Sequence, residues 1–181
     1  MKIIAINRLL TTNVGTTPSI DIIADSAVIK DGKPLFIPNF SNNWTAEATI
    51  AIRISRLGKN IGAKFASRYY DAITTVLRIK PTDCKSNNTA LYTSFDGSII
   101  MGNWETINSS ELNITIADKK YTFSIDDLDI DNAIATISKY ITLKIGDVII
   151  LGHYANNINI SIDNSIIINL NETENLKVKI K

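Results

Sequence analysis

The chain has 181 residues, 45% of them hydrophobic and 20% charged, enough for one well-buried globular core. Its net charge of +1 gives no electrostatic argument for nucleic acid or for an anionic membrane surface. Its single cysteine, Cys84, rules out an internal disulfide, and no apolar run approaches the roughly 20 residues of a membrane span. The first eight residues form too short an apolar run for a signal peptide, broken by Asn7 and Arg8. A cytoplasmic protein with neither nucleic-acid nor membrane partners is therefore expected.

Lys2 to Ile6 reads as a first or edge strand. Thr11 to Ser19, with Gly15 and Pro18, reads as a loop, and Ile20 to Ile29 as a weak strand leading to an Asp31-Gly32 turn. The most regular pattern follows. Ala46, Ala48, Ile50, Ile52 and Ile54 alternate with Glu47, Thr49, Ala51, Arg53 and Ser55, the period of a strand. Asn60 can cap a helix over 61–72, with Ile61, Phe65 and Tyr69 recurring every fourth residue. Pro81 to Ala90 is a polar loop. Leu112 to Ile125 reads as a hairpin turning at Asp118-Lys119, and Asp131 can cap a helix to Tyr140 with Ile134, Ile137 and Ile141 on one face. Three alternating runs close the chain, near 158–162, 166–170 and 176–180. The fold expected is α+β, mainly β: a mixed β-sandwich roll with two short helices, in a single domain spanning 1–181.

Several motifs lie on this framework. They are Asp31-Gly-Lys-Pro34 with Phe36-Ile-Pro38, Gly58-Lys-Asn-Ile61, Lys64-Phe-Ala66 and Arg68-Tyr-Tyr-Asp71. Further on come Phe95, Asp96 and Ser98, then Thr142-Leu-Lys-Ile-Gly-Asp-Val-Ile-Ile150. In this set the chain resembles the fumarylacetoacetate hydrolase family over nearly its whole length. The resemblance implies that family's C-terminal-domain fold, with residues 1–19 as first strand and a shortened lid remnant. It also implies homodimers, or a heteromer with a paralogue, and a small-molecule ligand.

The family's chemistry would be carried by a Glu-x-Glu strand, a third aspartate, a lid histidine, a lysine and a carboxylate-binding loop. Two residues apart on a strand share a face, which is how Glu-x-Glu aims two carboxylates at one divalent ion. Here the pair reads Glu47-Ala-Thr49, and the aligned third position is Arg78. Arg8 survives from the lid, but Asn13 falls near the lid histidine, and an amide cannot act as a general base near neutral pH. Ile23 and Ala24 stand where a lysine near the substrate would be. Thr93 takes another lysine position, and of the carboxylate loop only Gly152 is kept. No cofactor is expected, with Mg²⁺ or Mn²⁺ as the alternative, and the Arg78 guanidinium is expected beside Glu47 in place of the ion.

Outside those positions, His153, Asp96 and Cys84 are weak catalytic candidates, each with a plainer reading as a structural or surface group. Trp44 and Trp104 suit a core or an interface better than a ligand pocket. Three function classes stand. The first is a catalytically silent family member acting as a binding, interaction or structural subunit. The second is a Mg²⁺- or Mn²⁺-dependent hydrolase, hydratase or decarboxylase of acylpyruvate-like diketo acids. The third is a metal-free activity using His153, Asp96 or Cys84.

Overall fold

In the computed structural model, residues 1–7, 19–83 and 89–181 are described. The loop and lid positions Arg8 and Asn13, and Cys84, lie outside them. Among the described residues, twelve strands and two α-helices follow in chain order. They are β1 (Ile3–Asn7), β2 (Ser19–Ile23), β3 (Val28–Lys30), β4 (Trp44–Ile54), β5 (Tyr70–Pro81), α1 (Thr89–Thr93), β6 (Ile99–Met101) and β7 (Glu105–Thr106). Then come β8 (Glu111–Ile116), β9 (Lys119–Ser124), α2 (Ile130–Tyr140), β10 (Val148–Asn159), β11 (Ser165–Leu170) and β12 (Thr173–Lys179). The mainly-β, α+β class read from sequence is the one observed.

An eight-stranded mixed sheet runs β2-β1-β10-β4-β5-β6-β3, with β7 also on β5, and a four-stranded sheet runs β12-β11-β8-β9. β2 and β3 occupy opposite edges of the large sheet, although only four residues, 24–27, separate them in sequence. Five residue steps reach at most about 18 Å, while seven strands laid flat at ~4.8 Å spacing would hold the edges about 29 Å apart. The sheet therefore has to curl. Its concave face encloses Ile3, Ala5, Ile23, Ala27, Ala51, Val76, Ile99, Met101, Val148 and Ile150. The other face packs Ala46, Ala48, Ile50, Ile52 and Ile54 against α2 and the small sheet in the main core. Both faces of β4 are thus used, and the alternation seen in sequence separates two cores rather than core from water.

Several sequence expectations are corrected. The helix over 61–72 is a 3-10 turn, Ala63–Arg68, preceded by Gly62; Asn60 sits at φ 53 and does not cap it. The bulky residues after Tyr69 belong to β5, which pairs with β4 from Tyr70 onward, and ladder hydrogen bonds outweigh one more helical turn. The single strand read over Ile20 to Ile29 is β2 and β3 with a 3-10 turn, Asp25–Ala27, between them. β1 is not an edge, because β2 covers it. Tyr92 to Ser98 is the end of α1 and a turn. Ile158 closes β10 instead of opening a strand. The hairpin forms but turns at Ala117-Asp118, one residue earlier than expected, while the last two strands and α2 are as expected, with Asp129 rather than Asp131 at the helix N-cap and Ile134 and Ile137 fully buried.

Asp147 explains the Gly-Asp motif before β10. Its carboxylate accepts from Lys2 N and Lys144 N, both at 2.8 Å, and pairs with Lys2 Nζ at 2.5 Å, which fixes the parallel start of β1 beside β10. The two sheets are joined by buried Asn175 of β12. Its Oδ1 accepts from Thr75 N (3.1 Å) and Thr75 Oγ1 (2.7 Å), while Nδ2 donates to Asn103 O (2.8 Å) and Glu105 Oε1 (2.9 Å). Gly102 passes so close that an added Cβ would collide with Asn175 Oδ1. Among the described residues, no helix is long and apolar enough to cross a membrane. Asn175→Ala strands this network's buried partners and should destabilise by about 2–3 kcal/mol in urea titration.

Candidate functional site

The strand alternation of β4 decides which side chains can meet. Thr45, Glu47, Thr49, Ala51 and Arg53 share the concave face, and residues directly opposite across an antiparallel pair point the same way. Register therefore adds Arg78 opposite Glu47, Lys80 opposite Thr45 and Val76 opposite Thr49 from β5. From β10 it adds His153 opposite Thr49. Ala51, Val76 and Ile150 plug the middle of the roll, so Glu47, Thr49, Arg78, Lys80 and His153 form one polar cluster on the same side of that plug.

Gly152 makes this placement of His153 attainable. Pairing slips by one residue between Ile150 and Gly152, and Gly152 adopts φ 142, a region that favours glycine. The bulge turns His153 onto the concave face, where strict alternation from Ile150 would have put Leu151 and His153 on the opposite one.

Within the cluster, Glu47 Oε1 accepts a 2.7 Å ion pair from Lys80 Nζ. Glu47 Oε2 is buried with no hydrogen-bond partner. The Thr49 hydroxyl is fully buried and donates to Val76 O at 3.1 Å, so its proton serves the sheet. Arg78 is only 3% exposed. Burial works against its charge, and the fields of Glu47 and Asp21 work for it. Half-buried His153 has its pKa pushed below the ordinary value, first by burial and then by Lys80 and Arg78, with Glu47 opposing. It is a neutral imidazole at pH 7.

The donor set does not fit a divalent ion. Mg²⁺ and Mn²⁺ require several hard oxygen ligands, usually carboxylates. Among the described residues that β4, β5 and β10 bring to this cluster Glu47 is the one carboxylate, one of its oxygens already holds an ammonium group, and the guanidinium opposite it also lies in the field of Asp21. Among the described residues no group of three or more His, Cys, Asp or Glu is arranged to hold a metal.

The remaining sequence candidates lie elsewhere or do structural work. Thr93, at the end of α1, donates its hydroxyl to Ala90 O at 3.3 Å, and its carbonyl accepts from Ser98 Oγ at 2.8 Å. Asp96 is exposed in the turn that follows. Ala24 lies just before the Asp25–Ala27 turn and Ile23 is buried in the concave core. Trp44 joins an aromatic cluster with Phe40 and Phe95, and Arg53 stacks on Trp104 at 5.5 Å. Sequence reading missed Lys80 as the partner of Glu47. The signal was there in principle, since Arg78 and Lys80 are two apart and share a strand face.

Two measurements check this account. Lys80→Met, which removes the ammonium group paired with a mostly buried carboxylate, should lower stability by about 1–2 kcal/mol. The unfolded chain takes up a proton on His153 near its ordinary pKa of 6.5, before the folded chain does. That contribution is therefore complete above 6.5 and declines as pH falls through the depressed folded value. Melting curves of His153→Gln should show a shallower loss of Tm than the parent between about pH 7 and about pH 5.

Comparison with known proteins places this geometry. The model of the fumarylacetoacetate (FAA) hydrolase C-terminal domain matches residues 11–164. No curated protein matches the chain. Among solved structures, 5-carboxymethyl-2-hydroxymuconate delta-isomerase from Mycobacterium smegmatis is similar, with a TM-score of 0.85 at 21% identity, over 99% of this chain and 76% of that one. The 2-hydroxyhepta-2,4-diene-1,7-dioate isomerase from Mycobacterium marinum gives 0.84 at 19% identity, over 99% and 73%. Fumarylpyruvate hydrolase from Pseudomonas aeruginosa, solved with Mn²⁺ and pyruvate, gives 0.81 at 14% identity, over 99% and 89%. With its motifs, its curled sheet and a family match spanning most of its length, the chain belongs to the fumarylacetoacetate hydrolase family.

Proposed function

We propose that this member of the family works without a metal, as a binding subunit rather than a hydrolase. The observation that carries the reading is the ion pair of Glu47 with Lys80 at 2.7 Å, with Arg78 directly opposite in register. Two covalently held cations supply the positive charge that an ion brings to such a carboxylate. A guanidinium is permanently charged and cannot leave, so the carboxylate is neutralised at every metal concentration. The buried, unpartnered Glu47 Oε2 remains to accept from a hydroxyl or amine of a small-molecule ligand. Neutral His153 beside it offers one donor and one acceptor.

The alternative is the divalent-ion-dependent chemistry on diketo acids suggested by relatives such as the fumarylpyruvate hydrolase. Titration calorimetry with Mn²⁺ and Mg²⁺ separates the two. Binding should be weaker than a Kd of about 100 μM, equivalent to roughly −5.5 kcal/mol. Neither ion should raise Tm, because linkage requires a site selective for the folded state. Acylpyruvate substrates, followed by loss of their ultraviolet absorbance, should not be cleaved. Cleavage that depends on either ion would overturn the proposal in favour of the hydrolase.

A further inference from the structure

Gly58 and Leu143 exchange two backbone hydrogen bonds, at 3.0 and 2.8 Å, and Asn60 N donates to Ser138 O at 2.9 Å. Nearer β4, Ile54 N donates to Asp147 O and Gly146 N donates to Ile54 O, both at 2.8 Å. The segment between β4 and β5 is thereby stitched to the end of α2 and the turn after it. This gathers Arg56, Lys59, Lys64 and Arg68 from one segment with Lys139 and Lys144 from the other, all six exposed. Residues 55–69 and 138–146 contain no acidic side chain. Among the described residues, no carboxylate forms an ion pair with any of the six. They take six of the 19 Lys and Arg and none of the 18 Asp and Glu, so the rest of the chain is net negative.

Apolar side chains sit among these cations. Leu57 is 66% exposed, Ile145 72% and Tyr140 76%. Phe65 is also exposed, with Lys64 Nζ at 4.9 Å and the Arg68 guanidinium at 5.5 Å from its ring centre. Phe65, Arg56, Lys59 and Arg68 line a shallow cleft of about 330 Å³. Ile145 is carried on a tight turn whose Gly146 adopts φ +84, beside the exposed Arg56–Leu57 bend.

We propose that this end of the molecule docks on an anionic lipid bilayer, its cations on the headgroup phosphates and Leu57 and Ile145 in the acyl boundary. The aliphatic tips decide the class of partner. Nucleic acid rewards cations and stacked rings, and an acidic peptide rewards cations, but neither gives Leu57 and Ile145 an apolar medium to enter. A bilayer with anionic headgroups uses both sets of side chains, and Tyr140 and Phe65 suit its interface.

Co-sedimentation of the full chain with vesicles tests the proposal. At low salt the protein should pellet with phosphatidylcholine mixed with phosphatidylglycerol and not with phosphatidylcholine alone, and added salt should release it. Lys59→Gln with Lys64→Gln should lower the partition coefficient at least about tenfold. Leu57→Ser with Ile145→Ser, at unchanged charge, should lower it by about tenfold. All four positions are exposed, and unchanged melting curves would confirm intact variants. Failure to pellet with the mixed vesicles, or equal pelleting with both kinds, overturns the proposal. So does full binding by the serine pair, which would assign the surface to a purely ionic partner.

Discussion

The structure depends on the double pairing of β4. That strand lies between β10 and β5 along its length, and its two faces serve different interiors. One face carries the small and branched apolar residues of the main core, and the other looks into the curl of the large sheet. The short 24–27 connection between opposite edges forces that curl, so the inner face is narrow and few side chains fit within it. A polar group placed there must be neutralised by neighbours across one strand, because little water can reach it.

This constraint gives the charges on the inner face their meaning. Where the resemblance calls for a pair of carboxylates and a third acid, the chain has one glutamate, a threonine whose hydroxyl serves the sheet, and an arginine. Replacing a carboxylate by a cation changes local charge by two units, and in a half-buried cluster that reverses the sign of what can enter. Lys80 adds a second cation by pairing with one oxygen of that glutamate. Catalysis by a bound Lewis acid would need oxygen ligands that these positions do not offer.

Outside the roll, charge is distributed unevenly in a way that a whole-chain sum cannot show. The +1 total averages a cationic end against an acidic remainder. Part of that end is local, since four cations fall within residues 55–69 without an acid between them. The rest arrives through the Gly58–Leu143 bridge, which places residues some eighty positions apart side by side. Partner classes are governed by the field at a surface, so a near-neutral total does not by itself exclude a charged partner.

Local pattern was sufficient wherever one periodicity governed. The alternation over 46–55 specified β4, the isoleucine spacing specified α2, and the motifs specified the family and therefore the mainly-β roll. The same alternation showed that Glu47 and Thr49 share a face, and the ungapped motif spacing put Arg78 near them. Assembly settled the remainder. Residues 70–72 fall within the helical reading but belong to β5 beside β4, because tertiary hydrogen bonds and burial exceed the small propensity differences within one turn. The bulge at Gly152 reversed the face of His153, and a one-residue slip inverts every alternation argument beyond it. The choice of Lys80 as the partner of Glu47, and the joining of two basic segments into one surface, depend on register between distant strands and turns. No window of the sequence contains that register, since it is set by which long-range pairings bury the most apolar surface at once.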